Sequence, residues 1–185
     1  MLNEIVEDAK SGMEKSLSAL DVAFKKIRTG RATPSLLESI RVDYYEKLTP
    51  LSQVASINIE DAKTLAIVPW EKGLVQQIER AISESDLGLN PATSGDTIRV
   101  ILPDLTEETR RDFIKKAKGE AENTKISIRN VRREGNSQLK EFLKEKELSE
   151  DEERQGEELI QKLTDSYVEK VDLALEAKEK DLLDF

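Results

Sequence analysis

Basic residues near the middle of the chain are the clearest candidates for chemistry. Residues 110–133 contain nine basic and three acidic side chains. The guanidinium groups of Arg129, Arg132 and Arg133 suit phosphate oxygens, because their planar forks donate two parallel hydrogen bonds. This excess of cations favours polyanion binding. The alternative is a solvated helix face, with Glu122 pairing with Lys118 or Lys125, or with acids of the last helix supplying the partners.

The sequence supports catalysis less well than it supports binding. The chain has no histidine and no cysteine, which excludes Ser-His and Cys-His nucleophiles and Cys/His zinc sites. The glycines form neither a P-loop nor a dinucleotide fingerprint. The acids of residues 150–153 are typical of a helix N-terminus rather than of a metal site. We therefore expect that the protein is not an enzyme and that it binds neither a cofactor nor a metal ion. A carboxylate-based enzyme would need a cleft with perturbed acids.

One long helix must position the basic residues. From Thr106 to about Lys146, apolar or small residues recur every three or four positions, which predicts a rod on the order of 60 Å long. The seam consists of Ile114, Ala117, Ala121, Thr124, Ile128, Val131, Gly135 and Phe142. Beside it runs a stripe in which seven of nine residues are basic: Arg111, Lys115, Lys118, Glu122, Lys125, Arg129, Arg132, Asn136 and Lys140.

Two further helices complete a predicted bundle. Residues 2–28 show helical periodicity, and we expect this helix to end at Thr29-Gly30, where glycine can take a left-handed cap. A capping box beginning at Ser149 starts the last helix. None of the three amphipathic helices can bury its apolar face alone, so an antiparallel three-helix bundle is predicted.

A small β-rich domain interrupts the bundle. Period-two alternation recurs between Arg31 and Pro103, around one helix predicted at residues 73–85. All five prolines lie in this segment. The predicted fold class is therefore α+β, with residues 1–30 and 105–185 forming the three-helix bundle and residues 31–104 an inserted β/α/β domain. The two connections predict a hinge, with the residues Thr29, Gly30, Pro34, Pro103, Asp104 and Leu105.

The net charge of −9 is unevenly distributed. Residues 1–106 carry 12 basic and 16 acidic groups, residues 107–146 carry 12 and 8, and residues 147–185 carry 5 and 14. An acidic chain with one basic stripe is expected to bind polyanions only where the stripe docks alone. We see no signal peptide and no apolar run of membrane-spanning length, so we expect a cytoplasmic protein without membrane contact.

Several motifs resemble those of the ribosome recycling factor family, in order and over the whole chain. They are Lys26-Ile27-Arg28-Thr29-Gly30-Arg31-Ala32, Asp86-Leu87-Gly88-Leu89-Asn90-Pro91, Ile98-Arg99-Val100 with Leu102-Pro103, and Ile128-Arg129-Asn130-Val131-Arg132-Arg133. The resemblance implies an L-shaped molecule of tRNA-like dimensions. It also implies a non-enzymatic translation factor that, with elongation factor G and GTP, splits the post-termination ribosome into subunits.

The resemblance also implies a set of contacts. The bundle would lie on large-subunit ribosomal RNA. The protein would act as a monomer. Together with the basic stripe, this gives the candidate RNA-binding residues Arg28, Arg31, Arg110, Lys118, Lys125, Arg129, Arg132 and Arg133. The leading alternative is a helical scaffold or chaperone-like tether that binds a protein through the bundle seam. It predicts salt-insensitive binding and an exposed apolar strip, whereas RNA docking predicts steep salt dependence.

Three positions depart from the family pattern. The segment Glu46-Lys47-Leu48 stands where the family more often has a Gly-Thr-Pro type of loop, and Thr109 stands where arginine is common. Gly135 interrupts the long helix where alanine is usual. In a helix interior this glycine is expected to cost about 1 kcal/mol relative to alanine.

Overall fold

The computed structural model describes residues 1–183. Its elements in chain order are α1 (Leu2–Lys25), β1 (Arg41–Tyr44), β2 (Lys47–Pro50), α2 (Leu51–Val54), β3 (Ala55–Asp61), β4 (Thr64–Pro69), α3 (Val75–Ser83), β5 (Pro91–Ser94), β6 (Thr97–Ile101), α4 (Glu107–Lys144) and α5 (Glu150–Leu183). Short 3₁₀ helices lie at Pro34–Leu37 and Lys72–Leu74. The predicted α+β class, with long helices and a separate β-rich unit, is confirmed.

The chain divides into two compact units. The first contains Met1–Ile27 and residues 107–183, and the second contains Arg28–Thr106. That each unit folds as an independent domain stays a prediction. Within residues 1–183, none of the helices has both the length and the apolar character needed to cross a membrane.

The first unit is a bundle in which α1, α4 and α5 all pack against one another. Its core contains the fully buried side chains of Met13, Ile128, Leu139, Ile160 and Val171. Leu139 was absent from the predicted seam of α4, although it lies one helical turn beyond Gly135. The predicted cap of α5 is present, because the Glu152 backbone N–H donates to Ser149 Oγ at 3.2 Å.

The first helix ends three residues earlier than predicted. Lys26 and Ile27 donate their backbone N–H groups to the carbonyls three residues back, at 3.2 and 3.1 Å. This tighter winding closes the last turn. Gly30 does have a positive φ of 84°, in the left-handed region that favours glycine. It lies five residues beyond the end of α1, however, so it is not the cap of that helix.

The second unit is built on an antiparallel sheet with the strand order β3-β4-β6-β5, beside the separate hairpin β1-β2. Its core joins the sheet residues Leu65, Ile67 and Ile98 to Ile78 and Ile82 of α3, all of which are fully buried. The period-two alternation seen in the sequence does not extend to strands β2 and β5. Both are four-residue strands with no fully buried side chain, so they carry no period-two apolar signal.

Both segments that cross between the units are anchored on one hairpin turn of the second unit. The Ala32 N–H donates to the Ala62 carbonyl, and the Leu102 N–H donates to the Lys63 carbonyl, each at 2.8 Å. Ala62 and Lys63 connect β3 to β4. The Lys63 ammonium also pairs with the carboxylate of Asp104. The two connecting segments are therefore bound to the sheet at adjacent residues, Ala62 and Lys63.

Candidate nucleic-acid interface

The packing of α4 determines which of its side chains reach solvent. Ala117, Ala121 and Ile128 are buried against the other two helices. The small side chains at 117 and 121 allow close approach of the neighbouring helix backbones. The predicted basic stripe lies beside this buried row and remains at least partly exposed along its length.

Two lysines of the stripe have acidic partners across the bundle. Lys125 Nζ lies 2.5 Å from Asp172 Oδ1, and Lys118 Nζ lies 3.9 Å from Glu179 Oε1, both on α5. The expectation that Glu122 pairs with Lys118 or Lys125 is therefore wrong, because α5 supplies closer carboxylates. The last helix does supply partners to this part of the stripe, as the solvated-face alternative expects.

Glu122 instead pairs with an arginine two turns along the same helix. Its Oε1 lies 3.8 Å from Arg129 Nη1, and the two side chains are 60% and 43% exposed. An exposed ion pair of this kind contributes roughly 0–1 kcal/mol. Arg129 can therefore exchange this partner for another anion at little cost.

Beyond Arg129 the stripe changes character. Arg132 and Arg133 have no ion pair within 4.0 Å among residues 1–183. They open onto a surface recess of about 420 Å³. The residues lining the recess are Arg132, Arg133, Asn136, Ser137, Lys140 and Gln161. Three of them are cationic and none is acidic, so this recess is the part of α4 best suited to bind an anion.

The recess includes residues that sequence reasoning did not single out as RNA contacts. Asn136 and Lys140 lie on the predicted stripe, and Ser137 follows Arg133 by one turn. Gln161 comes from α5. Heptad spacing within α4 carries no information about which residue of another helix faces it, so no sequence signal pointed to Gln161.

The three remaining candidate arginines differ from these. Arg110 lies in the first turn of α4, and its Nε is shielded from solvent without a hydrogen-bond partner within the described chain. Arg28 belongs to the second unit, and its Nε and Nη2 are likewise shielded and unsatisfied. Arg31 also belongs to the second unit and is exposed, but it is engaged in an interaction. An unsatisfied shielded donor is costly, so an acceptor is expected at Arg28 and Arg110.

The second unit presents an aromatic cluster at the tip of the hairpin β1-β2. Tyr44 donates a 2.8 Å hydrogen bond to Glu71 Oε1, and Tyr45 donates one of 3.4 Å to Oε2. The bond to Glu71, with smaller contributions from desolvation and negative charge, raises the pKa of Tyr44. Tyr45 is 79% exposed and Trp70 is 66% exposed, so neither ring belongs to the core.

Acidic residues are numerous, but they do not converge. No group of three or more His, Cys, Asp or Glu residues within residues 1–183 is arranged to hold a metal ion. Along α5, the pKa of Glu153 is raised, chiefly because it shares a hydrogen bond with Glu157. The nearby Lys140 lowers that pKa by a smaller amount.

Comparison with known proteins identifies the family. The family model described as "Ribosome recycling factor" matches residues 20–183. The chain is 56% identical over 184 residues to the ribosome-recycling factor of Marinomonas sp. (strain MWYL1), covering 100% of both chains. It is 57% identical over 183 residues to that of Alcanivorax borkumensis, covering 99% of both.

Solved structures agree with the sequence relatives. A solution structure of a ribosome recycling factor aligns with a TM-score of 0.79 at 36% identity, covering 100% of this chain and 98% of the other. A second match comes from models for the T. thermophilus ribosome recycling factor and the E. coli elongation factor G bound to the E. coli post-termination complex. It aligns with a TM-score of 0.66 at 42% identity, covering 99% of both chains. The fold and the nearly full-length sequence matches agree, and the chain belongs to the ribosome recycling factor family, whose members are non-enzymatic translation factors.

Proposed function

We propose that this protein binds the post-termination ribosome and, with elongation factor G and GTP, splits it into subunits. It acts in the cytoplasm as a monomer. Family membership supports this role, and a homologue has been placed with elongation factor G on the post-termination complex. Because this chain has no glycine-rich phosphate loop, the free energy of splitting comes from the GTPase partner.

The cationic end of the α4 stripe is the observation that carries this proposal. Arg132 and Arg133 carry positive charge into a recess with no acidic lining, whereas Lys118 and Lys125 lie beside carboxylates of α5. In the proposed role, the polyanion that these arginines bind is large-subunit ribosomal RNA. Arg129 adds to this surface, and Arg28, Arg31 and Arg110 contribute further contacts near the ends of the connections between the units.

The apolar face needed by the scaffold alternative is not open in the structure. The bundle seam is closed, since Met13, Ile128 and Val171 are fully buried. The large apolar side chains exposed on the three helices, such as Val22, Ile126 and Leu173, stand on three different helices. Nothing in residues 1–183 favours protein capture through the seam over RNA docking.

The second unit would act as the movable part. We infer that bending occurs at the two connections, residues 29–34 and 103–105. Within them it should fall mainly on residues 29–31 and 103–105, because Ala32 and Leu102 are already tied to the sheet by hydrogen bonds. Gly30 supplies a backbone conformation that a β-carbon would strain. Pro34 and Pro103 limit the freedom of the flanking residues.

The test is co-sedimentation with isolated large ribosomal subunits over a salt series. Binding should weaken steeply with salt, as counterion release requires. Arg132→Ala should weaken binding by about tenfold or more at low salt, because a charged hydrogen bond to phosphate contributes about 1.5–3 kcal/mol. The control Lys116→Ala removes one charge from the opposite flank of α4. Salt-independent binding, or equal effects of the two substitutions, would contradict the proposal.

A splitting assay tests the partner. Ribosome complexes mixed with this protein, elongation factor G and GTP should dissociate into subunits, as light scattering would show. Omitting the GTPase or replacing GTP by GDP should abolish dissociation. Splitting at the full rate without nucleotide would contradict the role assigned to the GTPase.

A further inference from the structure

A lysine of the last helix holds the backbone at the point where the chain leaves α1. Lys178 Nζ donates a 3.0 Å hydrogen bond to the carbonyl oxygen of Ile27. The last carbonyls at a helix end have no partner within the helix, and a cation suits this end of the helix dipole. Lys178 therefore supplies from α5 a donor that α1 cannot supply itself.

This contact lies in a protected position. Ile27 is 3% exposed and belongs to the bundle, and Lys178 is half-buried. Burial lowers the pKa of Lys178, against a smaller opposite effect of the nearby Asp181, so the ammonium group has lost part of its water shell. Because a partly desolvated donor is costly to leave without an acceptor, the bond to Ile27 is expected to persist.

Holding one carbonyl fixes a whole peptide unit. The carbonyl of Ile27 and the N–H of Arg28 belong to the same planar group. Lys178 therefore fixes the orientation of the last peptide plane before the first connection. The position of that plane is set by the bundle, because both Ile27 and Lys178 belong to it.

The other end of the first connection is held in the same way. The Ala32 N–H donates to the Ala62 carbonyl at 2.8 Å, which fixes the peptide plane between residues 31 and 32 on the second unit. The backbone that can rotate between the two fixed planes is thus limited to residues 28–31. Gly30, with its φ of 84°, lies within this segment. A short flexible segment transmits a push to the bundle, whereas a longer one would absorb it.

We propose that Lys178 is a positioning residue for subunit splitting, because it anchors the bundle end of the first connection and confines bending to residues 28–31. The inference rests on the proposed function, and it gives α5 a part in the bending although α5 contains no residue of either connection. Arg28 is half-buried, so the bending falls mainly on residues 29–31. Without the anchor, the flexible segment would extend back into the last turn of α1.

Lys178→Met tests this role, since it keeps the length of the side chain and removes the donor. Lys180→Met is the matched control, because Lys180 is an exposed lysine near the same end of α5 with no ion pair among residues 1–183. Lys178→Arg keeps a charged donor and should behave like the wild-type protein. Tyr167→Phe weakens a different contact between α5 and α1, so it controls for lost stability.

The first measurement concerns the protein alone. Lys26 and Ile27 donate the N–H groups that close the last turn of α1. In Lys178→Met these two groups should exchange with solvent about threefold to tenfold faster, because the turn has lost a charged hydrogen bond. Spin labels on Ser137→Cys in α4 and Ser83→Cys in α3, both exposed positions in a chain without cysteine, should show a broader distribution of distances. The control variants should change neither quantity.

The second measurement is the rate of ribosome splitting with elongation factor G and GTP, at a temperature where every variant is folded. Lys178→Met should split ribosomes about threefold or more slowly, because part of the push is absorbed at the loosened end of α1. Its affinity for isolated large subunits should stay within about twofold of the wild-type value. Lys178→Arg, Lys180→Met and Tyr167→Phe should split at the wild-type rate.

The outcomes separate this inference from the proposed function. Unchanged exchange and distances in Lys178→Met would show that Lys178 does not anchor the connection. Faster exchange with a normal splitting rate, or equal slowing by Tyr167→Phe, would show that the anchor has no positioning role. If the wild-type protein itself does not split ribosomes, the proposed function is wrong, and exchange and distances still decide whether Lys178 confines the bending.

Discussion

At the scale of single residues, Tyr167 shows how one hydroxyl links two helices. It is almost fully buried in the bundle, and its hydroxyl donates a 2.6 Å hydrogen bond to Glu14 Oε2 of α1. Lys170 Nζ lies 4.5 Å from the centre of the ring. The bond to Glu14, followed by desolvation and the nearby negative charge, raises the pKa of Tyr167 from 10.0 to about 12.

The raised pKa predicts a loss of stability in alkali. The folded state holds the tyrosine proton more tightly than the unfolded state, so the contribution to stability is complete below pH 10.0 and disappears as the pH approaches 12. Tyr167→Phe keeps the ring but removes the bond. It should lower the free energy of unfolding by about 1 kcal/mol at pH 8. Urea unfolding of both proteins at several pH values measures the difference.

That difference should shrink between pH 10 and pH 12, because the wild-type protein loses the same interaction on ionisation. The comparison of the two proteins removes the titration of other lysines and tyrosines. A difference that stays constant up to pH 12 would show that the hydroxyl does not bind Glu14 in solution.

The tip of the hairpin β1-β2 carries backbone strain at two residues. Tyr44 pairs with Lys47, so Tyr45 and Glu46 form a two-residue loop. Their φ angles are 50° and 63°, as this type of turn requires, and glycine is favoured at its second position. Glu46→Gly should therefore stabilise the protein by about 0.5–1 kcal/mol.

The control for this substitution is Glu38→Gly. Glu38 is also exposed but has a φ of −60°, so glycine there should destabilise by about 0.5–1 kcal/mol through lost chain entropy. Thermal unfolding of both variants measures the two effects. A destabilised Glu46→Gly variant would mean that the loop does not adopt positive φ angles in solution.

At the scale of whole elements, α5 acts as an internal competitor for the cations of α4. Asp172 lies 2.5 Å from Lys125, and Glu179 lies 3.9 Å from Lys118. Any RNA phosphate that reaches these lysines must replace a carboxylate. In the proposed function, we therefore expect the acids of the last helix to lower the affinity for polyanions generally and to favour sites whose geometry also engages Arg132.

Asp172→Asn should consequently increase the affinity for large ribosomal subunits by about threefold to tenfold at low salt. The gain should shrink above about 0.3 M salt, where screening acts over a few ångströms. Glu169→Gln is the control, because Glu169 is an exposed acid of the same helix with no ion pair among residues 1–183. Equal effects of the two substitutions would indicate a change in net charge only.

Gly135 shows how packing reverses an expectation based on helix propensity. A β-carbon at this position would lie 2.9 Å from Cδ1 of Ile160, which is fully buried. Helix propensity alone predicts that Gly135→Ala raises the free energy of unfolding by roughly 1 kcal/mol. The observed gain should be much smaller, because Ile160 must shift to make room. The double variant Gly135→Ala with Ile160→Val removes the clashing methyl group and should recover most of the helix gain.

The measurement is a double-mutant cycle on the free energy of unfolding. The expected coupling between the two substitutions is favourable and about 0.5–1 kcal/mol. Additive effects would mean that the two side chains do not compete for the same space.

Long periodic helices were predictable from the sequence because their apolar residues recur over many turns. The seam of α4 and the Ser149 cap of α5 have local signatures. Strands β2 and β5 have none, since they bury no side chain fully. In the candidate site, the cations of α4 were visible in the sequence. Whether each cation has an acidic partner depends on α5: Lys118 and Lys125 have one, and Arg132 has none within the described residues. Contacts between helices that are distant in the sequence cannot be read from the residue spacing of either helix.

At the scale of the whole molecule, the two units have separate cores. The buried cluster of the second unit lies entirely between Ala32 and Leu102. The bundle core is supplied by α1, α4 and α5, with Met13, Leu139 and Ile160 fully buried. The buried cluster of the second unit contains no residue of the bundle, so we expect the bundle to fold alone.

Replacing residues 32–103 by a short Gly/Ser linker tests this expectation. Circular dichroism should show a cooperative helical unfolding transition, because all three pairs of helix contacts remain. The shortened protein should still co-sediment with large ribosomal subunits, yet it should not split ribosomes with elongation factor G and GTP. A molten product would show that the second unit stabilises the bundle. Normal splitting would show that the second unit is not needed for the mechanism.

The anchoring of both crossings on the turn between β3 and β4 has a mechanical consequence. Ala62 holds Ala32, and Lys63 holds Leu102 through its backbone and Asp104 through its ammonium group. In the bending that we propose, a push on the second unit would therefore reach both connections through this one hairpin. We therefore expect the proposed bending to fall on residues 29–31 and 103–105, with the hydrogen bonds inside the sheet left intact.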